Sequence, residues 1–189
     1  MASLTELARR LKLALVAITD ERRGGDPLAV AARLPAGSWV IFRHYDAPDR
    51  SVLAIRLAAI CRKRRLKLLV AGDPALARRL KAGLHLPDAL AAHPTPAIRS
   101  WKGLLTAAAH DRRGLRRAAR LGADAALLSP VFATLSHPGV KPLGLTAFRR
   151  LARGSAVPVI ALGGIDRTNV SLLKDAPIAK IAALGALKP

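Results

Sequence analysis

The sequence predicts a compact (β/α)8 TIM barrel, and three features of the chain point to that fold class. Short, almost wholly apolar segments alternate with helical patterns along the whole chain. The segment from Asp124 to His137 is a buried strand that runs into a loop of small and polar residues. The segment from Val157 to Ile165 does the same and adds a glycine pair. Active sites of such barrels lie in the loops after the strands, so both loops are candidates for function.

Eight segments are predicted as strands because each is short and apolar, as strands buried on both faces should be. They are Leu13–Ile18, Trp39–Arg43, Lys67–Ala71, Gly83–Leu86, Leu104–Ala107, Ala125–Leu128, Val159–Leu162 and Ile178–Ala182. The helices predicted between them include Arg50–Arg64, Arg112–Leu121, Thr146–Arg153 and Thr168–Asp175. Pro27 and Pro74 stand where a first helical turn accepts proline. The 189 residues are assigned to one domain, 1–189.

The unit between the fourth and fifth predicted strands is the least regular. Pro87, Pro94 and Pro96 interrupt it, so a full helix is not expected there. Because alternation of strands and helices does not by itself prove closure, an open doubly wound sheet stays as the alternative fold.

The chain is strongly basic, with 32 Lys and Arg against 12 Asp and Glu and a net charge of +20. Such a charge attracts phosphates, nucleic acids and anionic surfaces. The basic residues are spread along the predicted helices, however, and the 3% aromatic content leaves little for base stacking. We therefore expect a solvated basic surface and no specific nucleic-acid binding.

The single Cys61 excludes an intramolecular disulfide and a cysteine-ligated zinc site, and it favours a reducing, cytoplasmic location. Its position inside a predicted helix argues against a catalytic thiol. The apolar run Leu13–Ile18 is too short for a secretory leader, and no apolar run reaches membrane-spanning length. Neither a targeting segment nor membrane contact is expected, and a homo-oligomer stays open.

Polar, charged and glycine residues collect where the predicted strands end. A closed barrel would bring these positions together at one mouth. The mixture of cations, carboxylates and glycine-rich backbone suits a phosphorylated ligand, with or without a divalent metal. The positions are Thr19, Asp20, Arg43, His44, Gly72, Asp73, His85, Asp88, His110, Ser129, Thr134, Ser136, His137, Gly163, Gly164 and Gly185.

Several of these positions fit two interpretations. Asp73 fits a helix N-cap as well as a metal ligand. Arg43 follows an apolar strand and needs an anionic partner, either a ligand or Asp20. His85 fits a hydrogen-bonded core histidine, and Gly163-Gly164 fits a tight turn as well as a phosphate cradle.

Seven segments together resemble the thiamine phosphate synthase / TenI family, over a stretch running from about Leu13 to Leu187. The resemblance implies a (β/α)8 barrel. It also implies a transferase that joins hydroxymethylpyrimidine diphosphate to thiazole phosphate and releases pyrophosphate with Mg²⁺. The segments are Ala17–Asp20, Gly72-Asp73, Leu84–Leu86, Ala107–His110, Gly122–Phe132, Pro142–Gly144 and Pro158–Ile165.

The resemblance also implies roles for individual residues. Asp73 and Asp88 would hold Mg²⁺. Arg43, Thr134, Ser136 and His137 would meet the diphosphate, and the backbone of Gly163, Gly164 and Gly185 would hold the thiazole phosphate. The candidate catalytic residues are Arg43, His110 and His137.

The chain also departs from the family pattern. Tyr45 and His137 stand where the family has lysines, and Gly72 stands where it has asparagine.

The leading interpretation is a thiamine phosphate synthase-type enzyme acting on small phosphorylated substrates. One alternative is a TenI-like thiazole tautomerase, in which His110 transfers the proton and no metal is needed. The other is a non-catalytic protein that binds thiamine-related phosphates or, through its charge, nucleic acid.

Overall fold

The computed structural model describes residues 2–21, 25–134 and 139–183. Within those ranges eight parallel strands pair in chain order, and the last pairs with the first to close a barrel. The strands are β1 (Ala14–Ile18), β2 (Trp39–Phe42), β3 (Lys67–Ala71), β4 (Gly83–Leu86), β5 (Leu105–Ala109), β6 (Ala125–Leu128), β7 (Val159–Leu162) and β8 (Ile178–Ala183). Closure confirms the predicted (β/α)8 barrel and excludes the open sheet.

The strand predictions are right in number and order, and four of the eight have the bounds observed. The largest difference is at β5, which begins one residue later than predicted and continues to Ala109. Ala108 and Ala109 extend the strand because they pair with Leu127 and Leu128 of β6. The apolar pattern predicts the end of the strand too early because it carries no information on which residues pair with the neighbouring strand.

Helices alternate with the strands. They are α1 (Leu4–Arg10), α2 (Pro27–Arg33), α3 (Arg50–Lys63), α4 (Pro74–Arg79), α5 (Asp88–Ala92), α6 (Pro96–Arg99), α7 (Arg112–Arg120) and α8 (Gly144–Arg153). Pro27 and Pro74 each open a helix, as predicted. The proline-rich unit after β4 forms only the short α5 and α6, which confirms that no full helix spans it. No described helix is long and apolar enough to cross a bilayer.

Helix α1 was not predicted, although the sequence carries a signal for it. Ser3 and Glu6 form a capping box, in which each side chain accepts a hydrogen bond from the backbone N–H of the other residue. Leu4 and Ala8 are buried on the inner face of the helix. Such a Ser-x-x-Glu pattern before an apolar run marks a helix start.

Two other helix predictions need correction. The helix predicted from Thr146 begins two residues earlier, at Gly144. The backbone N–H of Gly144 donates to the carbonyl of Val131 at 3.0 Å, which anchors the helix start on the loop after β6. The helix predicted over Thr168–Asp175 is only a 3₁₀ turn, Val170–Leu173. The Asp166 carboxylate accepts from the N–H of Thr168, and this local bond competes with a regular helix.

Side chains alternate between the barrel interior and the layer under the helices. Along β2, Trp39 and Ile41 face the interior cluster, whereas Val40 and Phe42 pack in the outer cluster. The same period places Arg43, directly after β2, on the interior row. The alternation therefore fixes which residues can reach the mouth of the barrel from inside.

Candidate active site

Because all eight strands are parallel, their carboxyl ends lie at one mouth of the barrel. Thr19, Arg43, Gly72, His110 and Ser129 follow β1, β2, β3, β5 and β6 directly. The structure therefore brings the described part of the predicted constellation to one end of the fold. Ser136, His137 and Gly185 lie outside the described residues, so their predicted roles stay predictions.

Arg43 forms an ion pair with Asp20, which follows β1. Both are mostly buried, with 27% and 12% of their side chains exposed. Thr19 adds a link between the same two strand ends, because its hydroxyl accepts from the backbone N–H of Arg43 at 3.0 Å. The sequence left either a ligand anion or Asp20 as the partner of Arg43, and the structure shows Asp20.

His85 lies inside the barrel, below Arg43. Its Nδ1 is 2.9 Å from the hydroxyl of Thr106 on the neighbouring strand, and the residue is 7% exposed. Burial, together with a smaller effect of the positive charge of Arg43, lowers the pKa of His85 to about 4. His85 is therefore a neutral core histidine at neutral pH, and this geometry favours the core interpretation over a role in the site.

Arg50, the first residue of α3, pairs with Asp73. Its Nη1 donates to one carboxylate oxygen of Asp73 at 2.8 Å. The other carboxylate oxygen of Asp73 accepts from the backbone N–H of Leu76 at 2.9 Å, which caps α4. Asp73 is thus a helix cap, as one sequence interpretation had it, and its second oxygen is engaged by a guanidinium.

Asp88, the first residue of α5, is paired with Arg117 of α7. Both candidate metal ligands therefore bind arginines in this structure. No group of three or more histidine, cysteine or acidic side chains that could hold a metal ion occurs among the described residues. Mg²⁺ requires near-octahedral oxygen coordination, commonly with one or two carboxylates. Because Asp73 and Asp88 are each engaged by an arginine, these two carboxylates do not fit a magnesium site in this arrangement.

His110 follows β5 and is exposed at the mouth. Its Nδ1 lies 2.9 Å from the carbonyl oxygen of Ser129. A carbonyl can only accept, so Nδ1 carries the proton, and in the neutral ring Nε2 is the basic nitrogen. The Ser129 hydroxyl is 3.3 Å from the same Nδ1. The ring is oriented by the end of β6 and offers Nε2 as a proton acceptor.

The glycine pair after β7 packs against the loop after β6. A Cβ on Gly163 would lie 2.7 Å from Cα of Pro130, and one on Gly164 would lie 2.3 Å from the carbonyl oxygen of Ala133. Both glycines have positive φ, +98° and +65°. The backbone that must approach closely is therefore this loop of the protein itself. Thr134, half-buried, follows Ala133 in the same loop.

Sequence reasoning missed Arg50 and Arg117 as partners of the two carboxylates. Arg50 had a usable signal. It stands in the first turn of α3, where no acidic residue is present and where the positive end of the helix dipole disfavours a cation. A nearby carboxylate offsets that unfavourable interaction, and Asp73 supplies one.

Comparison with known proteins connects this barrel to one family. The family profile described as thiamine monophosphate synthase matches residues 15–187. The chain is 30% identical to the thiamine-phosphate synthase of Methylococcus capsulatus, over 92% of this chain and 81% of that protein. It is 32% identical to the thiamine-phosphate synthase of Prochlorococcus marinus (strain MIT 9303), over 84% of this chain but only 46% of that longer protein.

The solved structure of thiamine phosphate pyrophosphorylase from Pyrococcus furiosus superposes on the barrel with a TM-score of 0.75. The match covers 93% of this chain and 87% of that one at 24% identity, a likeness that concerns the fold. The profile match, which spans nearly the whole barrel, shows more than the fold. The chain belongs to the thiamine monophosphate synthase family.

Proposed function

We propose that this protein is a thiamine phosphate synthase-type transferase. It couples hydroxymethylpyrimidine diphosphate to thiazole phosphate and releases pyrophosphate. The observation that carries the proposal is the family match over residues 15–187, which includes every strand end described above. The relatives named above carry the same activity in their names.

The diphosphate side of the proposed site is built on cations. Arg43 follows β2 on the interior row, and its charge is paired with Asp20 and mostly withdrawn from solvent. We assign Arg43 to the diphosphate, together with Thr134, Ser136 and His137 from the loop after β6. Fixed charges in a partly desolvated mouth stabilise a leaving diphosphate more strongly than the same charges in water.

The thiazole phosphate is assigned to the backbone after β7 and β8, at Gly163, Gly164 and Gly185. The loop after β6 supports the first two, because Phe132 donates its N–H to the carbonyl of Gly163 at 3.0 Å. Asn169 adds a bond to the carbonyl of Gly164 at 2.7 Å. These contacts fix the turn, and a phosphate site made of backbone groups requires a fixed turn.

Magnesium receives no protein site in this proposal. Asp73 and Asp88, the expected ligands, are each engaged by an arginine.

We also propose that residues 1–189 form one domain and that the protein works in the reducing cytoplasm. The buried free thiol of Cys61, whose pKa burial raises to about 11, is compatible with such a compartment.

The test is a coupling assay with both substrates. Purified protein should form thiamine phosphate and release pyrophosphate. Arg43→Gln should lower kcat by roughly 10²-fold, the loss typical of removing one charge-stabilising donor. Arg56→Gln, which removes an exposed arginine from α3, is the matched control and should keep full activity. A thermal melt of each variant checks that it is folded.

A protein that releases no pyrophosphate contradicts the synthase assignment. If it instead isomerises the thiazole phosphate, and His110→Asn abolishes that reaction, the tautomerase alternative replaces the proposal. His110 is the residue to test because its oriented ring presents Nε2 as a base.

A further inference from the structure

Arg50 is held in one position by the ends of two strands. Its Nε donates to the carbonyl of His44 at 2.6 Å, and its Nη2 donates to the carbonyl of Ala71 at 2.9 Å. Its Nη1 donates to Asp73 at 2.8 Å. The guanidinium carbon also lies 5.6 Å from the ring centre of Phe42. A planar group with three such bonds has little freedom left, so its charge occupies a fixed place at the mouth.

The contacts of Arg50 leave it able to bind an anion. A guanidinium has five N–H donors, and the three bonds described use three of them. Asp73 meets Arg50 through one carboxylate oxygen only, since the other accepts from the N–H of Leu76, so the two free N–H donors of Arg50 are not taken up by that carboxylate. The side chain of Arg50 is 17% exposed, so it is mostly withdrawn from water yet still reachable.

Arg43 directly follows β2, and the guanidinium of Arg50 in α3 contacts the same strand end. Arg50 bonds there to the carbonyl of His44, the residue after Arg43. His44 lies near both arginines: burial lowers its pKa most, the carboxylates of Glu21 and Asp20 raise the pKa, and the charges of Arg50 and Arg43 lower it. Two guanidinium groups therefore lie close to the end of β2.

The carboxylates that a metal would need are already engaged near these arginines. Asp73 uses one oxygen to cap α4 and the other to bind Arg50, and Asp88 is paired with Arg117. Releasing either carboxylate for a metal would leave a mostly buried cation without its partner, which is costly. The fixed cation at this part of the mouth is a guanidinium.

We propose that Arg50 binds the diphosphate of the pyrimidine substrate and that this binding needs no divalent metal. The proposal rests on the proposed function. In that reaction the bond between the pyrimidine methylene carbon and the diphosphate oxygen breaks, and its electron pair leaves with the diphosphate. The thiazole nitrogen then supplies the pair that forms the new C–N bond. Arg50, with Arg43, stabilises the charge that gathers on the leaving oxygen.

Calorimetric titration with inorganic pyrophosphate tests the proposal, once in EDTA and once in Mg²⁺. The native protein should bind pyrophosphate in EDTA. Arg50→Gln should weaken that binding by roughly 10-fold or more, as expected from losing a charge-assisted hydrogen bond. Arg56→Gln removes an exposed arginine from the same helix and should bind like the native protein. Equal weakening by both variants, or no binding in EDTA, overturns the proposal.

The variant Asp73→Asn distinguishes pyrophosphate binding by Arg50 from binding through a metal on Asp73. This test does not require that Arg50→Gln folds. Asparagine caps helices about as well as aspartate, so α4 keeps its start. Removing the carboxylate charge leaves Arg50 with more uncompensated charge, and pyrophosphate should bind in EDTA as tightly as before or tighter. If Asp73 instead binds a metal, Asp73→Asn should lose pyrophosphate binding that requires Mg²⁺. That result would mean that Arg50 is not the cation that binds pyrophosphate.

Failure of this proposal and failure of the proposed function give different results. Pyrophosphate binding in EDTA without coupling of the two substrates leaves Arg50 as an anion site and removes the synthase activity. Coupling that requires Mg²⁺, without any pyrophosphate binding in EDTA, keeps the synthase and removes the role of Arg50.

Discussion

The imidazole of His85 links the stability of the barrel to pH. It is buried between β4 and β5, bonded to Thr106, and its pKa is lowered to about 4 from an ordinary value of 6.5. The unfolded chain therefore binds a proton between about pH 6.5 and 4 that the folded barrel does not. The contribution of His85 to stability is complete above the unfolded pKa and is lost as pH falls toward the folded one.

We expect the free energy of unfolding to fall with pH more steeply in the native protein than in His85→Asn. The difference should reach about 3 kcal/mol between neutral pH and pH 4, from about 1.4 kcal/mol per pKa unit. Urea unfolding at several pH values measures it. His93→Asn removes an exposed imidazole at the end of α5 and serves as the control. Parallel curves for the native protein and His85→Asn would contradict the buried neutral ring.

Residues on a strand, or within two residues of its end, could be placed from the sequence. Residues on longer loops could not. The pairing of Arg43 with Asp20 follows from strand period, because both stand two residues beyond interior positions of neighbouring strands. The pairing of Arg50 with Asp73 depends on how the chain between β2 and α3 folds back over the rim. No periodic pattern in the sequence gives that path, so Asp73 fitted both a helix cap and a metal ligand, and its pairing with Arg50 could not be predicted.

At the scale of elements, the loop after β6 and the turn after β7 form one packed unit. The N–H groups of Val131 and Phe132 donate to the carbonyls of Leu162 and Gly163 at 2.9 and 3.0 Å. The glycine pair could be predicted from the sequence, but what it approaches could not. The sequence left a tight turn and a ligand phosphate both open, and the structure shows protein backbone as the close neighbour of the two glycines.

Gly164→Ala compared with Gly122→Ala isolates that packing. The two glycines have nearly the same φ, +65° and +67°, so alanine is strained by about 1–2 kcal/mol at either position. A Cβ at Gly164 would also lie 2.3 Å from the carbonyl of Ala133, whereas one at Gly122 has nothing within 4 Å. Gly164→Ala should cost a further 1–3 kcal/mol or so, about the usual penalty of overpacking.

Chemical denaturation of both glycine variants measures the difference. Equal losses of stability would mean that the loop after β6 yields to the new methyl group, and the two loops would then not form one packed unit.

At the scale of the whole molecule, net charge dominates the surface. The excess of 20 positive charges is spread over the outer helices, and it opposes the compact state through self-repulsion. The described ion pairs sit at the mouth, where Asp20, Asp73 and Asp88 each hold one arginine. The carboxylates thus compensate charge at the mouth of the barrel.

We expect the melting temperature to rise when salt is added from about 10 mM to about 300 mM, because screening weakens repulsion between exposed charges more than it weakens half-buried pairs. Differential scanning calorimetry in sodium chloride measures the shift. A melting temperature that falls with salt would mean that surface ion pairs, and not repulsion, dominate the electrostatics of this barrel.

The proposed reaction joins the two phosphorylated precursors, and hydroxymethylpyrimidine diphosphate loses pyrophosphate while the thiazole keeps its phosphate. The most direct measurement is mass spectrometry of the product formed from carbon-13-labelled hydroxymethylpyrimidine diphosphate and unlabelled thiazole phosphate. We expect thiamine phosphate that carries the pyrimidine label, with one pyrophosphate released for each molecule formed. Unchanged substrates, or pyrophosphate released without labelled thiamine phosphate, would contradict the claim.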